Sequence, residues 1–102
     1  MIVVHSEVPV KPDRREEARE LLEAMAVRSR AEDGVVDYRV TTDLEEPDMF
    51  RILELYEDAA AFESHESSDH LERFAADMAP CLYGTAELTR FIVTSTETLP
   101  GP

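Results

Sequence analysis

The sequence predicts an α+β domain with the ferredoxin-like order β-α-β-β-α-β, in which helices cover one face of an antiparallel sheet. Segments that are β-rich or alternate in polarity flank two segments with helical periodicity. The chain has 102 residues, the size of one domain, and contains no repeat. Cys81 is the only cysteine, which excludes an internal disulfide. We predict a single domain over residues 1–97 and a frayed tail over residues 98–102.

The first half of the chain predicts a strand followed by a helix. Ile2–Val8 is rich in β-branched residues and predicts strand one. After the break at Pro12, Asp13 is expected to cap a helix, with Glu16 three residues later completing a capping box. Gly34 is expected to end this helix. Its inward stripe at helical spacing comprises Ala18, Leu21, Leu22, Met25 and Ser29.

The second half predicts three strands and a helix in two pieces. The strands are Val35–Thr42, Met49–Glu57 and Leu88–Thr96, with a turn at Asp43–Asp48. Asp58 can cap a short helix over Ala59–His65, and Ser67 or Ser68 can cap a second helix that runs to Ala79. Pro80 ends that helix. Its inward residues are Leu71, Phe74, Ala75 and Met78.

Both faces of the sheet carry apolar side chains, although helices can cover only one. Strand three presents Phe50, Ile52, Glu54 and Tyr56 on one face, and Met49, Arg51, Leu53 and Leu55 on the other. A large exposed apolar patch usually marks an interface. We therefore predict a homodimer whose two sheets pack face to face. The alternative is a monomer with a partly apolar surface.

The net charge of the chain limits the classes of partner that it is expected to bind. Asp and Glu number 23 against 10 Lys and Arg, a formal net charge of −13. Nucleic acids and anionic membranes bind basic patches, so we expect neither as a partner. No segment approaches the roughly 20 apolar residues of a membrane span, and nothing resembles a signal peptide. We predict a cytoplasmic protein that binds a small-molecule substrate. The acidic composition also suggests a high-salt cytoplasm, with an ordinary acidic protein as the alternative.

Four polar residues among apolar ones form the predicted catalytic set. Glu54 and Tyr56 share one face of strand three, and His65 and His70 flank the break in the second helix. A histidine can move protons near neutral pH, and a carboxylate or hydroxyl beside it can orient it. The plainer interpretations are that Glu54 bonds an arginine or a backbone amide, Tyr56 only packs, and His70 is a surface residue. We interpret His5 as structural and Cys81 as a small buried core residue.

The sequence predicts no cofactor and no metal. Its three glycines form no phosphate-binding loop or dinucleotide fingerprint, and no nucleophile elbow is present. A two-histidine, one-carboxylate metal site would require Glu54 to join His65 and His70. No third ligand stands at a compelling spacing.

Two motifs resemble the antibiotic biosynthesis monooxygenase family. Glu54 and Tyr56 are followed by a short helix, His65, and a second histidine, His70, five residues later. Upstream, an acidic residue and a glycine precede an aromatic residue of strand two, over Glu32–Tyr38. The resemblance covers essentially the whole chain. It implies a dimeric α/β barrel and an enzyme that oxidises anthrones or quinols with oxygen, without metal or flavin.

The resemblance also implies roles for individual residues. His65 or His70 would be the base, supported by Glu54 and Tyr56. The remaining predicted substrate contacts are Phe62, Phe74, Ser6 and Tyr38. Most members have tryptophan where this chain has Tyr56. An isomerase branch that acts on a phosphorylated autoinducer-2 breakdown product has tyrosine there, so an isomerase remains open. So does a non-catalytic ligand-binding or stress-response dimer.

Overall fold

Four strands form one antiparallel sheet in the order β2-β3-β1-β4, in a computed structural model that describes all 102 residues. The strands are β1 (Ile2–Pro9), β2 (Val35–Thr42), β3 (Met49–Tyr56) and β4 (Glu87–Ile92). The α-helices are α1 (Arg15–Arg30), α2 (Ala59–Glu66) and α3 (Asp69–Met78), with 3₁₀ turns at Pro12–Arg14 and Ala79–Cys81. This confirms the predicted ferredoxin-like order and the split second helix. None of the helices has the length and apolar character that crossing a membrane requires.

The helices cover one face of the sheet, as predicted. Alternate residues of β1 and β3 are buried on that face, including Val4 and Phe50. Val4 packs with Ile2 and Tyr56. Phe50 packs with the inward stripe of α1, in which Ala18 and Leu22 are completely buried. Cys81 joins the same core, as its interpretation as a buried core residue requires. Because the side chains alternate, every second residue of β1 and β3 is turned to the opposite, helix-free face.

The helix ends differ from the sequence prediction at α1 and agree at α2 and α3. Asp13 does not cap α1, because it lies inside the 3₁₀ turn that Pro12 begins, and the N-cap residue Arg14 makes no side-chain cap bond. Nor does Gly34 end α1, which stops at Arg30. Asp58 caps α2 as predicted, and Ser68, rather than Ser67, caps α3 by accepting a bond from Leu71 N–H.

Strand β4 is shorter than predicted. It ends at Ile92, which pairs with Ile2 at the start of β1. Beyond that pair, Val93 N–H donates to the carbonyl of Met1 at 2.9 Å. Residues after Val93 have no neighbouring strand to accept their hydrogen bonds, so the alternating pattern that continues to Thr96 does not form a strand.

Gly34 and Gly84 form a matched pair for a stability test. Both have positive φ, 82° and 91°, which costs a residue with a Cβ roughly 1–2 kcal/mol. A Cβ at Gly34 would lie 2.5 Å from Cβ of Ala61, whereas one at Gly84 meets nothing within 4 Å. We expect Gly84→Ala to lower the free energy of unfolding by about 1 kcal/mol. Gly34→Ala should lower it by an additional ~1–3 kcal/mol from overpacking.

Denaturant unfolding of both variants measures this difference. The double variant Gly34→Ala/Ala61→Gly should recover part of the loss, because removing the Ala61 methyl relieves the overlap. If Gly34→Ala and Gly84→Ala lower the free energy of unfolding equally, the overlap with Ala61 does not destabilise the fold.

Candidate active site

A cavity of about 290 Å³ lies between the helix-covered face of the sheet and helices α2 and α3. Its polar wall is formed by Ser6, Tyr38, Glu54 and His65, together with Glu66. The sheet register brings Tyr38 of β2 opposite Glu54 of β3, and Glu54 opposite Val4, two residues from Ser6 on β1. The rest of the wall is apolar, with Leu71, Phe74 and Met78 contributed by α3 and Leu88 by β4. Three of the predicted substrate contacts, Ser6, Tyr38 and Phe74, therefore line one cavity.

Glu54 is buried and held by two hydroxyl groups. The Tyr56 hydroxyl donates to Glu54 Oε1 at 2.5 Å, and the Ser6 hydroxyl donates to Oε2 at 3.2 Å. Only 3% of Glu54 is exposed. No arginine contacts it, since Arg51 pairs with Asp43 and Glu7 on the other side of the sheet. The plainer interpretation of Glu54 as an arginine partner is therefore wrong.

Burial controls the protonation of this cluster. Removal from water raises the pKa of Glu54, and the hydrogen bond from Tyr56 opposes that rise only in part. Burial also raises the pKa of Tyr56 and Tyr38, and the nearby Glu54 charge adds to both increases. Both tyrosines stay protonated near neutral pH. The raised pKa of Glu54 is closer to neutral pH, where a carboxyl group can both donate and accept a proton.

The raised pKa of Glu54 predicts a pH-dependent effect of Glu54→Gln on stability. The folded protein binds this proton more tightly than the unfolded chain does, so its contribution favours folding at low pH. That contribution is lost as pH rises through the folded pKa. We expect Glu54→Gln, which resembles the protonated acid, to melt at a higher temperature than wild type above that pKa. Below roughly pH 4, where both states of the wild type are protonated, the advantage should disappear.

Melting temperatures across this pH range measure the effect. Glu57→Gln is the matched control, because it removes the same charge from an exposed position three residues further along the chain. An equal gain for both variants would attribute the effect to net charge and exclude burial of Glu54 as its cause.

His65 lines the cavity, and one of its two ring nitrogens already has a hydrogen-bond partner. It is 2% exposed, at the last turn of α2, and its Nδ1 lies 2.8 Å from Glu32 Oε2. Its ring contacts the rings of Tyr38 and Tyr56 at centroid distances of 5.7 and 5.6 Å. Because Nδ1–H donates to the carboxylate, the neutral tautomer leaves Nε2 as an acceptor, and Nε2 has no partner within the chain. This is the arrangement of a general base oriented by an acid.

Glu32 is the site residue that sequence reasoning missed. It lies in the loop between α1 and β2, 33 residues before His65. In the sequence, Glu32 is distinguished only as the acidic member of the Glu32–Tyr38 motif. Loop residues carry no periodic signal that shows where their side chains point. The α1–β2 turn and the end of α2 meet only in the folded chain.

His70 contacts the same carboxylate from outside the cavity. Its Nε2 lies 3.4 Å from Glu32 Oε2, and the two imidazole centroids are 6.2 Å apart. His70 lines a groove between α1 and α3 and does not contribute to the cavity wall. The two histidines therefore share Glu32, with His65 lining the cavity and His70 lining the groove.

Two other predicted site residues also lie outside the cavity wall. Tyr56 is completely buried and reaches the site only through its hydroxyl on Glu54. Phe62 packs edge-on against the Tyr56 ring at 5.4 Å, and the guanidinium of Arg90 covers it at 5.5 Å. Phe62 thus supports Tyr56, whereas Phe74 is part of the cavity wall.

The fold and the site define a small α+β protein with an internal apolar cavity and buried groups suited to proton transfer. The chain belongs to the antibiotic biosynthesis monooxygenase family, whose sequence model matches residues 1–77. It is 31% identical over 90 residues to "Putative monooxygenase YcnE" of Bacillus subtilis (strain 168), covering 88% of this chain and 95% of that protein. The names of the family and of this relative support an assignment to the general class of monooxygenases.

Solved structures agree on the fold. Rv0793 from Mycobacterium tuberculosis superposes with a TM-score of 0.88 at 25% identity, covering 95% of this chain and 98% of that one. A structure from Deinococcus radiodurans reaches a TM-score of 0.94, over 99% of this chain and all of its own. Its identity of 22% means that this likeness concerns the fold alone.

Proposed function

We propose that the protein is a cofactor-independent monooxygenase that oxidises a quinol-like or polyphenolic small molecule with molecular oxygen. The observation that carries this proposal is the orientation of His65. It is a buried imidazole in a cavity wall, with Nδ1 held by Glu32 and Nε2 unpartnered. Such a nitrogen can remove a proton from a phenolic hydroxyl placed in the cavity.

The cavity suits a small aromatic molecule. Its volume of about 290 Å³ exceeds the roughly 150 Å³ of an engineered cavity that holds benzene, which favours one or two rings. Phe74, Leu71 and Met78 supply apolar contacts on the helix side. Glu54 and Tyr38 supply polar groups on the sheet side, where they can orient the hydroxyl groups of a quinol.

The chemistry follows from this arrangement. His65 Nε2 accepts the phenolic proton, and the resulting anion is electron-rich enough to react with oxygen directly. One oxygen atom enters the ring carbon, the other leaves as water, and the substrate loses two hydrogens. Glu54, Tyr56 and His70 complete the proposed set: Glu54 contacts the substrate, Tyr56 positions Glu54, and His70 contacts the carboxylate that orients His65. The apolar wall excludes water from the intermediate.

Oxygen uptake by purified, metal-stripped protein with a panel of hydroquinones, naphthoquinols and anthrones tests the proposal. We expect uptake above the spontaneous rate for at least one compound, with one oxygen atom incorporated per product. Labelling with ¹⁸O₂ measures that incorporation. The absence of uptake and labelling with every compound, from a folded protein, would refute the monooxygenase and favour a non-catalytic ligand-binding protein.

The positions of the arginines weigh against an isomerase for a phosphorylated sugar. Arg39 pairs with Asp37, and Arg51 pairs with Asp43 and Glu7. Arg90 lies over Phe62, and no arginine or lysine lines the cavity. A phosphate group would therefore enter an apolar cavity without a positive charge to bind it.

We further propose that the protein is a homodimer formed through the helix-free face of the sheet. Cross-strand neighbours Val3, Leu55 and Phe91 lie together on this face, beside Leu53. Leu53 is 44% exposed and Phe91 51% exposed, although both lie within strands of the sheet. An apolar sheet face that no helix covers is suited to packing against a second sheet.

A further inference from the structure

We propose that Glu32, His65 and His70 form a binding site for one divalent transition-metal ion. One ligand atom from each residue lies within 4.8 Å of the others. Glu32 Oε2 is 2.8 Å from His65 Nδ1 and 3.4 Å from His70 Nε2. A tetrahedral ion with bonds of about 2.0–2.2 Å separates its ligand atoms by roughly 3.3–3.5 Å. Small side-chain adjustments therefore bring all three onto one ion.

The hydrogen-bond geometry of His70 favours this interpretation over a purely structural one. The bond between Glu32 and His65 is complete on its own. His70 Nε2 nevertheless points at the same carboxylate, with its two nearest partners, Glu32 Oε2 and Ser68 Oγ, both at 3.4 Å. Both distances exceed those of ordinary protein hydrogen bonds. A half-buried imidazole nitrogen without a good partner, beside a carboxylate and a second imidazole, is suited to coordinating a cation.

Backbone and cap contacts fix the three ligands before any ion binds. Glu32 follows Ala31, the C-cap residue of α1, and its N–H donates to the carbonyl of Ser29 at 3.1 Å. Ser68 joins the two histidine segments, since its hydroxyl donates to the carbonyl of His65 at 2.7 Å and accepts from Leu71 N–H at 3.3 Å. Preorganised ligands lower the cost of assembling a metal site.

The donor set selects the class of ion. Two imidazoles and one carboxylate suit zinc, cobalt, nickel or copper, whereas magnesium and calcium prefer oxygen ligands. The Glu32 and His70 side chains are 19% and 14% exposed, so an ion can enter from the groove between α1 and α3 and retain water ligands. Arg28 and Arg73 line the same groove. These two positive charges oppose the approach of a cation, so the binding free energy has to come from the three ligands.

Metal binding and the base role of His65 exclude each other. An ion on Nδ1 displaces the hydrogen bond to Glu32 and leaves the ring proton on Nε2, the atom that acts as the base in the proposed mechanism. His65 then donates where it would otherwise accept. The site itself does not depend on the proposed oxidation, and binding is measured without substrate.

Calorimetric titration of chelator-treated protein with Zn²⁺, and visible absorption on titration with Co²⁺, test the site. We expect one ion per chain. Glu32→Gln and His70→Ala should each weaken binding by more than about 100-fold, because each removes a direct ligand. His5→Ala is the matched control, since it removes the third histidine, which lies opposite Leu53 on the helix-free face of the sheet. It should leave the affinity unchanged even if it weakens the proposed dimer, because all three ligands come from one chain.

Either of two results overturns the proposal. One is the absence of saturable binding near one ion per chain. The other is binding that Glu32→Gln and His70→Ala leave unchanged, or that His5→Ala weakens as much as they do. Circular dichroism of each metal-free variant separates loss of a ligand from loss of the fold. Because Glu32 and His70 are both partly exposed, either variant alone supports the test if the other unfolds.

Discussion

Replacing His65 with glutamine is expected to lower kcat for quinol oxidation by at least about 100-fold, since a positioned general base contributes roughly 10²–10⁴-fold. Glutamine has a similar length and its amide can still donate to Glu32, but it cannot accept a proton at neutral pH. Glu32→Gln should produce a smaller loss, about 10-fold, because it leaves the base in place and weakens only its orientation. Steady-state oxygen uptake with the compound that gives the highest rate measures both effects.

Two further variants separate chemistry from folding. His5→Gln changes a histidine on the opposite face of the sheet and should retain wild-type activity. His65→Ala leaves a space that added imidazole can fill, so imidazole should restore part of its turnover. If His65→Gln keeps kcat within about twofold of wild type, the proton acceptor is another group and the assignment of His65 is wrong.

Leu53→Asp is expected to convert the proposed dimer into monomers. Leu53 lies on the helix-free face of β3, between His5 of β1 and Arg39 of β2 in the sheet register. An unpaired carboxylate buried in an interface costs roughly 3–5 kcal/mol. Twofold symmetry introduces the change in both copies, so the dissociation constant should rise by more than about 100-fold. Sedimentation velocity at several concentrations measures it.

Val27→Asp provides the control for this prediction. Val27 is 63% exposed on α1, which covers the other face of the sheet, so the same substitution should leave the dimer intact. A wild-type protein that sediments as a monomer at all concentrations would contradict the dimer. So would a Leu53→Asp variant that associates as tightly as wild type.

The fold was predictable from periodicity because its elements are strongly amphipathic. The stripe of α1 and the alternation of β3 predict that Leu22 and Phe50 lie in the core, and both are buried. The helix and strand ends were less predictable. Asp13 has the sequence of a cap, but the fixed φ of Pro12 begins a 3₁₀ turn that contains it. Likewise, β4 ends where its partner β1 begins, and the residues around Ile92 do not indicate that they pair with Ile2.

The candidate site was predictable only in part, for a related reason. Glu54 and Tyr56 share a strand face, so their proximity follows from a two-residue period. The separation of His65 from His70 depends on the angle between α2 and α3, which the sequence does not specify. Because of that angle, His65 lines the cavity and His70 lines the outer groove. Glu32, whose carboxylate contacts both histidines, lies in a loop, where the sequence has no periodic pattern that predicts side-chain direction.

The position of β1 in the sheet has a consequence for biosynthesis. This strand is made before the other three, yet it lies in the interior of the sheet between β3 and β4. At roughly 5–20 residues per second, the ribosome adds β4 several seconds after β3 is complete. During that interval one edge of β1 has no partner, and an unpaired apolar edge is a site of aggregation. Slow translation between Tyr56 and Glu87, or premature termination there, should therefore release chains prone to aggregate.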